Sequence, residues 1–389
     1  MAGGLRTTNM NVDTIADFLA DQRDQAPEEL QGMIIQFEDF WERKLWHQLT
    51  DLLIEFFANP KSEPQRLAFF KVFILKFADK INQLKLVDLG LKAATQCRDD
   101  KERLTFLTDL AKKVDNENSQ DAFVYATVAA ARVELLLRDG EASRRDLDKA
   151  EKILDSFDSV ETKVHAAFYQ VNADYYKANA DFASYYRNAL LYLACIDLST
   201  ISPNERKARA YDLGMAALVS DSIYNFGELL LHPILDALTG ELEWLRNLLL
   251  AFNRGDLGAY DMLSGHISSN RLLQDHEDEI REKIYLAALT ESVFRRPPHE
   301  RAMTFSTISA DTKVRPNQIE HLVMRALSLG LVRGTIDQVD EVVNFTWVQP
   351  RILDMSQIAS MSQRLGEWGE NVNKLGNWIE ATGQDIWAP

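Results

Sequence analysis

The side chains of this chain that could bind a metal or transfer a proton are widely spaced. The seven histidines are His47, His165, His232, His266, His276, His299 and His321. No two of them have the spacing that places a pair of metal ligands on one face of a helix. The densest titratable cluster is Asp275–Glu279, which we interpret as a solvated charged turn at the start of a helix. We therefore predict no bound metal.

Neither a catalytic nucleophile nor a phosphate-binding loop is indicated. Cys97 and Cys195 are too few and too far apart for a disulfide framework or a zinc site, and we interpret both as core residues in a reducing compartment. The pair Cys97 and His165 has no spacing typical of a nucleophile and its base. The chain lacks the patterns G-x-x-x-x-G-K-[ST] and G-x-G-x-x-G. We predict no catalytic residue and no cofactor, and a hydrolase is the remotest alternative.

The composition is that of an acidic globular protein. The 389 residues carry a net charge of −16, and 46% of them are hydrophobic. This length is enough for about two to three domains. No run approaches the roughly 18 apolar residues of a membrane span, and the N-terminus lacks the apolar core of a signal peptide. We expect no membrane association, and the acidity argues against a phosphate-binding face.

The clearest local pattern lies toward the C-terminal end. A helical run at 284–294 is followed by an apolar run, Met303–Ser306, that is typical of a short strand. Apolar residues at helical spacing predict a helix at Gln318–Leu329. Two strands then flank a polar turn, and Gly334 predicts a bulge or a close backbone approach. The order of helix, strand, two helices and hairpin predicts a winged helix at 284–350.

The returning strand of the hairpin alternates in polarity. Val343, Phe345 and Trp347 fall on one face, and Asn344 and Thr346 fall on the other, which is typical of a half-buried strand. The exposed edge of such a sheet can pair with a neighbour's sheet. We therefore assign Val343 and Phe345 to a partner interface as a hypothesis.

The charges of the winged helix argue against nucleic acid. Between residues 301 and 350, five basic side chains are balanced by five acidic ones, and three of the acids, Asp337, Asp340 and Glu341, lie in the turn of the hairpin. Nonspecific affinity for a duplex comes almost wholly from lysine and arginine. We expect no nucleic acid partner, and a winged-helix nucleic-acid-binding protein is kept as an alternative of another class.

Upstream of the winged helix, the pattern predicts one helix after another. Residues 64–79 are apolar on nearly every side, which predicts a helix buried between others. From about residue 119 the helices come in pairs with a repeat of about 40 residues, typical of stacked helical repeats. We predict a mostly α fold: a right-handed solenoid resembling tetratricopeptide repeats, the winged helix, and a long C-terminal helix. The predicted domains are a helical-repeat arm at 1–200, a helical part at 201–283 joined to the winged helix at 284–350, and the C-terminal helix at 354–382.

Seven large apolar residues near the C-terminus alternate in spacings of three and four. This set, here called the seam, is Ile358, Met361, Leu365, Trp368, Val372, Leu375 and Ile379. Such spacing over three heptads is typical of a coiled coil or a helical bundle. Gly366, Gly369 and Gly376 each weaken the helix by about 1 kcal/mol relative to alanine, so it is a poor helix on its own in water. We predict that the seam docks on a partner; the alternative is that it folds back onto the winged helix.

The winged-helix run also carries a family resemblance. The stretch TISADTKVRPNQIEHLVMRALSLGLVRGTIDQVDEVVNFTWVQPR resembles the end of a PCI domain, the module shared by the proteasome lid, the COP9 signalosome and translation initiation factor three. The matching residues are Ile308, Thr312, Val314, Ile319, Glu320, Leu322, Val323, Ala326, Leu327, Gly330, Leu331, Gly334, Ile336 and Asp337. The phrase GTIDQVDEVVNFTWVQPRILD and the N-terminal KLWHQLT are similar to PCI subunits of the 26S proteasome lid, and this similarity covers nearly the whole chain.

The resemblance implies a non-catalytic structural subunit of the proteasome lid that supports lid assembly and ubiquitin-dependent protein degradation in the cytoplasm and nucleus. It implies a hetero-oligomer with other PCI subunits and with MPN subunits, and a contact with the ubiquitin-receptor subunit. It further implies that the C-terminal helix joins a shared bundle. A subunit of the COP9 signalosome or of translation initiation factor three is the alternative within the same class.

Overall fold

The fold is known from a computed structural model, which describes residues 15–116, 118–157, 161–349 and 355–387. The chain divides into two units, Met1–Thr200 and Ile201–Pro389. The described residues form helices and one small sheet. The predicted fold class, mostly α with helical repeats, a winged helix and a long C-terminal helix, is confirmed.

The first unit consists of helices in the part that the structure describes. Its α-helices are α1 (Ile15–Gln25), α2 (Glu28–Glu42), α3 (Trp46–Ala58), α4 (Arg66–Ala68), α5 (Gln83–Ala94), α6 (Asp100–Val114), α7 (Gln120–Leu136), α8 (Gly140–Leu154), α9 (Thr162–Ala178) and α10 (Phe182–Cys195). The side chains of Asn82, Asp139 and Asp181 accept backbone N–H groups at the starts of α5, α8 and α10. Helices α6 to α10 pack chiefly on their sequence neighbours, as stacked helix pairs do.

The apolar stretch at 64–79 is buried, as predicted, but it is not one regular helix. A 3-10 turn, Pro60–Gln65, leads through α4 into a π-helical turn, Phe69–Phe73, which is followed by two short 3-10 turns. The rings of Phe69 and Phe73 are fully buried, and their centroids lie 5.9 and 6.3 Å from that of Phe37. Large rings on successive faces each need a separate packing site, and the backbone changes its hydrogen-bonding pattern along this run.

The second unit combines a helical layer, the winged helix and the C-terminal helix. Its helices are α11 (Pro203–Val219), α12 (Gly227–Leu231), α13 (Glu243–Arg254), α14 (Leu257–Ser269), α15 (Arg271–Asp275), α16 (Glu277–Arg295), α17 (Phe305–Thr312), α18 (Pro316–Ser328) and α19 (Met355–Trp387). Its strands are β1 (Ala302–Thr304), β2 (Val332–Asp337) and β3 (Val342–Val348). From α16 to β3 these elements follow the order that the sequence predicts for a winged helix.

The sheet places β3 between β1 and β2, and both pairings are antiparallel. Val343 lies opposite Met303 on one side and opposite Ile336 on the other. The register shifts between Arg333 and Gly334, and a Cβ atom on Gly334 would lie 2.3 Å from the carbonyl oxygen of Asn344. The predicted bulge with a close backbone approach is therefore confirmed.

The core of the winged helix lies between this sheet and helices α16, α17 and α18. Its buried side chains include Leu286, Leu289, Met303, Ile308, Ile319, Val323, Val332, Val343 and Phe345. Along β3 the buried residues Val343 and Phe345 alternate with the exposed residues Asn344 and Thr346. The period of two expected for a strand with one core face is therefore present.

Replacing Val343 with aspartate should destabilise the winged helix by about 3 kcal/mol or more, because a charge would be buried without a partner. The matched control is Asn344→Asp, which introduces the same charge at the neighbouring, exposed position and should change the free energy of unfolding by less than about 0.5 kcal/mol. Urea unfolding followed by circular dichroism measures both. Equal effects of the two substitutions would contradict the orientation of β3.

Lys283 of α16 is a buried charged side chain, only 4% exposed. Its Nζ atom donates hydrogen bonds to the carbonyl oxygens of Ala217 and Leu218, at 3.0 and 2.9 Å, in the last turn of α11. These are carbonyls that lack a partner within their own helix, and they lie at the negative end of its dipole. The same Nζ lies 5.6 Å from the ring centroid of Tyr224. Lys283 therefore ties α16 to the end of α11.

Burial lowers the pKa of Lys283 from 10.5 to about 7, against the smaller opposing effects of Asp221 and Glu279. Because the pKa in the folded state lies below that in the unfolded state, the unfolded chain binds more protons between these two values. The stability contribution of Lys283 must therefore rise with pH in this window, by at most about 1.4 kcal/mol per pH unit.

The free energy of unfolding should accordingly rise more steeply from about pH 7 to about pH 9 in the wild type than in Lys283→Met. Comparing the two proteins cancels the titration of all other groups. Urea titrations at both pH values measure the difference, and Lys207→Met, on the exposed face of α11, is the control that should follow the wild type. Parallel pH profiles of wild type and Lys283→Met would contradict a titrating buried amine.

Candidate partner-binding surface

The seam predicted from the sequence lies on α19, a helix of 33 residues and therefore about 50 Å long. All seven seam residues are exposed, from 44% at Ile379 to 67% at Trp368. Side chains of this kind are normally covered, and a contiguous apolar stripe on a surface marks an interaction site. The winged helix does not cover the seam in this structure.

Three glycines of α19 have no close neighbour among the residues that the structure describes. A Cβ atom added at Gly366, Gly369 or Gly376 would meet no other atom within 4 Å. Gly369 and Gly376 are seven residues apart, so both lie along the same side of the seam. Trp378, which is 62% exposed, adds a large apolar side chain next to Ile379. The seven-residue pattern used for the sequence prediction missed Trp378 because this residue lies one position outside the repeat.

The assignment of Val343 and Phe345 to a partner interface needs correction. These side chains are 0% and 4% exposed and belong to the core of the winged helix. Their strand is the central one, so its hydrogen-bonding groups on both sides face β1 and β2. The alternating pattern identified a buried face correctly, but that face packs inside this chain. The sheet edges belong to β1 and β2 instead.

The turn between β2 and β3 carries an apolar residue that sequence reasoning did not single out. Val339 is 93% exposed at the tip. The turn is held by Asp337, whose Oδ1 atom accepts hydrogen bonds from the backbone N–H groups of Val339 and Asp340. The acidic residues around Val339 make this tip unsuited to phosphate contacts.

Several basic side chains of the winged helix are already engaged. The guanidinium group of Arg325 pairs with Glu282 at 3.1 Å, and that of Arg333 stacks 4.7 Å from the ring centroid of Trp347. Arg301 donates to the backbone carbonyl of Arg296. Binding to a duplex needs a set of free cations along one face. The arrangement does not favour the nucleic-acid alternative.

The structure gives the surroundings of the histidines and cysteines that the sequence analysis considered as possible metal ligands or nucleophiles. His276 lies 2.8 Å from Glu279 within one exposed turn, and no group of three or more metal-binding side chains occurs among the described residues. Burial raises the pKa of the thiols of Cys97 and Cys195, which disfavours the reactive thiolate. Burial lowers the pKa of His232, whose Nδ1 atom accepts a backbone N–H. The two histidines therefore have hydrogen-bond partners within their own turns.

The described helices include none that is both long enough and apolar enough to cross a bilayer. The long helix α19 has its apolar residues in one stripe and polar residues elsewhere. Its seam therefore suits a protein partner with a complementary stripe.

Comparison with known sequences places these features in a family. Residues 260–347 match the PCI domain, so the winged helix and the helices before it define a PCI-domain protein. Residues 33–249 match the PSD13 N-terminal repeats, and residues 351–383 match the Rpn9 C-terminal helix. The chain therefore belongs to the Rpn9 family of 26S proteasome regulatory subunits, also named non-ATPase regulatory subunit 13.

Three relatives illustrate the extent of the similarity. The probable 26S proteasome regulatory subunit rpn9 of Schizosaccharomyces pombe is 48% identical, over 97% of this chain and 99% of the relative. The 26S proteasome regulatory subunit RPN9 of Saccharomyces cerevisiae is 42% identical, with the same coverage. The 26S proteasome non-ATPase regulatory subunit 13 of Dictyostelium discoideum is 35% identical, over 92% of this chain and 95% of the relative. The similarity thus includes both the helical repeats and the C-terminal helix.

Proposed function

We propose that this protein is a non-catalytic structural subunit of the 26S proteasome regulatory particle lid. Its exposed surfaces hold neighbouring subunits together, and through lid assembly it supports ubiquitin-dependent protein degradation. The observation that carries the proposal is the exposed seam on α19, which no described residue of the chain covers. The two relatives that this chain matches over 99% of their length are named as 26S proteasome regulatory subunits. This particle is the assembly in which the seam would be buried.

The partners in this proposal are other PCI subunits and MPN subunits of the lid, with the ubiquitin-receptor subunit as a further contact. The protein is a member of a hetero-oligomer in the cytoplasm and nucleus. The PCI domain supports the first of these contacts, because subunits that share this module have comparable sheet edges and helices to present.

The energetics favour a docked helix. Burying one large apolar side chain contributes roughly 1.5–3 kcal/mol, so the seven seam residues together would contribute on the order of 10 kcal/mol before the cost of association. The free helix lacks this contribution and contains four glycines, Gly366, Gly369, Gly376 and Gly383. Gly369 and Gly376 leave space beside the seam, where the backbone of a partner helix could approach closely.

A subunit of the COP9 signalosome or of translation initiation factor three is the alternative within the same class. Family membership favours the proteasome lid over both. Affinity purification of the tagged full-length protein from its own cells, followed by mass spectrometry, separates the three by the proteins recovered. Recovery of signalosome or initiation-factor subunits in place of lid subunits would refute the proposal.

Introducing charge into the seam should prevent incorporation. We expect the double variant Leu365→Glu and Leu375→Glu to reduce co-purification with lid subunits by about tenfold or more, because two carboxylates would have to be buried at the helix interface. Quantitative mass spectrometry of the purified complex measures the loss.

The matched control is Ala359→Glu with Asn373→Glu, which adds the same charge to exposed positions of α19 outside the seam. This control should incorporate nearly as well as the wild type. Circular dichroism of the isolated proteins checks that both variants keep their helices. Full incorporation of the seam variant, or equal losses in both, would show that the seam is not the docking surface.

A further inference from the structure

A charged cleft in the second unit has no role in the function proposed above. It lies where the turn between α13 and α14 meets α16, and residues near the end of α17 complete its lining. Its volume is about 550 Å³, which is within the range of roughly 300–1,000 Å³ typical of ligand sites. None of the seam residues belongs to it.

The cleft is held in shape by a close backbone contact. Gly255, between α13 and α14, has a φ of +64°, and a Cβ atom at this position would lie 2.7 Å from the Cα atom of Ala288. Only glycine permits both the left-handed backbone and this approach. The turn is therefore pressed against α16, and the flanking residues Arg254 and Asp256 are held at the wall of the cleft.

The carboxylates in the lining are already bonded. Asp256 accepts the backbone N–H groups of Gly258 and Ala259 at the start of α14, at 2.9 and 3.1 Å. The carboxylate of Glu291 pairs with Arg295 at 2.8 Å. Both carboxylates are thus held in place by partners from within the chain, and Glu291 is also paired with a positive charge.

The third carboxylate is engaged in the same way. Asp311 accepts hydrogen bonds from Ser292 and from Arg296, the latter at 3.0 Å. Two of the four basic residues in the lining, Arg295 and Arg296, are therefore paired with acids of the cleft itself.

The other two basic residues, Arg254 and Lys313, are different. Both are exposed, and neither makes a hydrogen bond or an ion pair with any residue that the structure describes. Four basic and three acidic side chains give the lining a net charge of +1, whereas the whole chain carries −16. The cleft is thus a site with two free cations on an acidic protein.

Lys313 is also held in an unfavourable backbone conformation. It follows α17 with a φ of +54°, a region that costs a side chain with a Cβ atom roughly 1–2 kcal/mol. Glycine would avoid this cost. Strained residues of this kind are enriched at binding sites, where the position of the side chain has a use.

We propose that this cleft binds an acidic peptide segment of a partner protein, whose carboxylates pair with Arg254 and Lys313. Single carboxylates need only one cation each, and arginine binds them in a bidentate manner. A ligand with several negative charges close together, such as a polyphosphate, would be repelled by the carboxylates of Asp256, Glu291 and Asp311 in the same lining. A carboxylate peptide therefore fits better than a polyphosphate. The site uses none of the seam residues, so it does not depend on the proposed function.

The test uses the full-length protein and fluorescence anisotropy with a labelled peptide of alternating glutamate and glycine. The control peptide carries glutamine in place of glutamate. The acidic peptide should bind about tenfold more tightly than the amide peptide, and its binding should weaken with added salt. Background binding is low, because the protein as a whole repels anions at a net charge of −16.

Three variants locate the binding. Arg254→Gln and Lys313→Gly should each lower the affinity for the acidic peptide by about tenfold, as expected for the loss of a hydrogen bond to a charged group. Lys207→Gln removes one exposed positive charge from α11, outside the cleft, and should leave the affinity within about twofold of the wild type. Lys313→Gly should also not lower the urea midpoint, since glycine relieves the strained φ. Weaker binding without lower stability distinguishes a binding role from a structural one.

Three results would overturn the proposal. The first is equal affinity for the acidic and amide peptides. The second is wild-type affinity in both cleft variants. The third is tighter binding of inorganic tripolyphosphate than of the acidic peptide, with the same dependence on Arg254 and Lys313, which would assign the cleft to polyphosphate ligands instead.

Discussion

The burial of α16 is the constraint on which the second unit depends. This helix packs against α13 and α14 and also against α17, α18 and β3, so apolar residues occupy nearly its whole circumference. Ile280 and Ile284 are buried toward its start and Leu289 and Val293 toward its end. Lys283 adds hydrogen bonds to the end of α11. The helical layer and the winged helix therefore share one rigid element, which also forms a wall of the charged cleft.

Helix α19 stands in contrast to this. The cores at α16 and around Phe69 are closed within the chain, whereas the seam is left open along a helix of 33 residues. Leaving such a stripe in water is unfavourable, which supports the proposal that a partner supplies the missing half of the interface. The cleft likewise has polar groups without a partner, because Arg254 and Lys313 make no ion pair with any described residue. Both features fit the proposed roles of the seam and the cleft in binding other proteins.

Much of this could be predicted from the sequence. The order of elements in the winged helix, the bulge at Gly334 and the seam follow from local spacing, because side-chain period and glycine geometry are properties of a short segment. The irregular helix around Phe69–Phe73 could not be predicted, since its hydrogen-bonding pattern depends on rings from other helices. The cleft was missed for a similar reason: Arg254 and Lys313 are far apart in sequence and carry no local signal.

The sequence by itself determined which residues share a face, the family of the chain and the position of the long C-terminal helix. These features follow from periodicity and motif order, which are properties of short stretches of sequence. Only the tertiary structure decided which apolar face is covered. Val343 and Phe345 look like interface residues in the sequence, but they are buried in the central strand, whereas the equally apolar seam stays exposed. The physical reason is that burial depends on what the rest of the chain brings to a face, and a one-dimensional pattern does not contain that information.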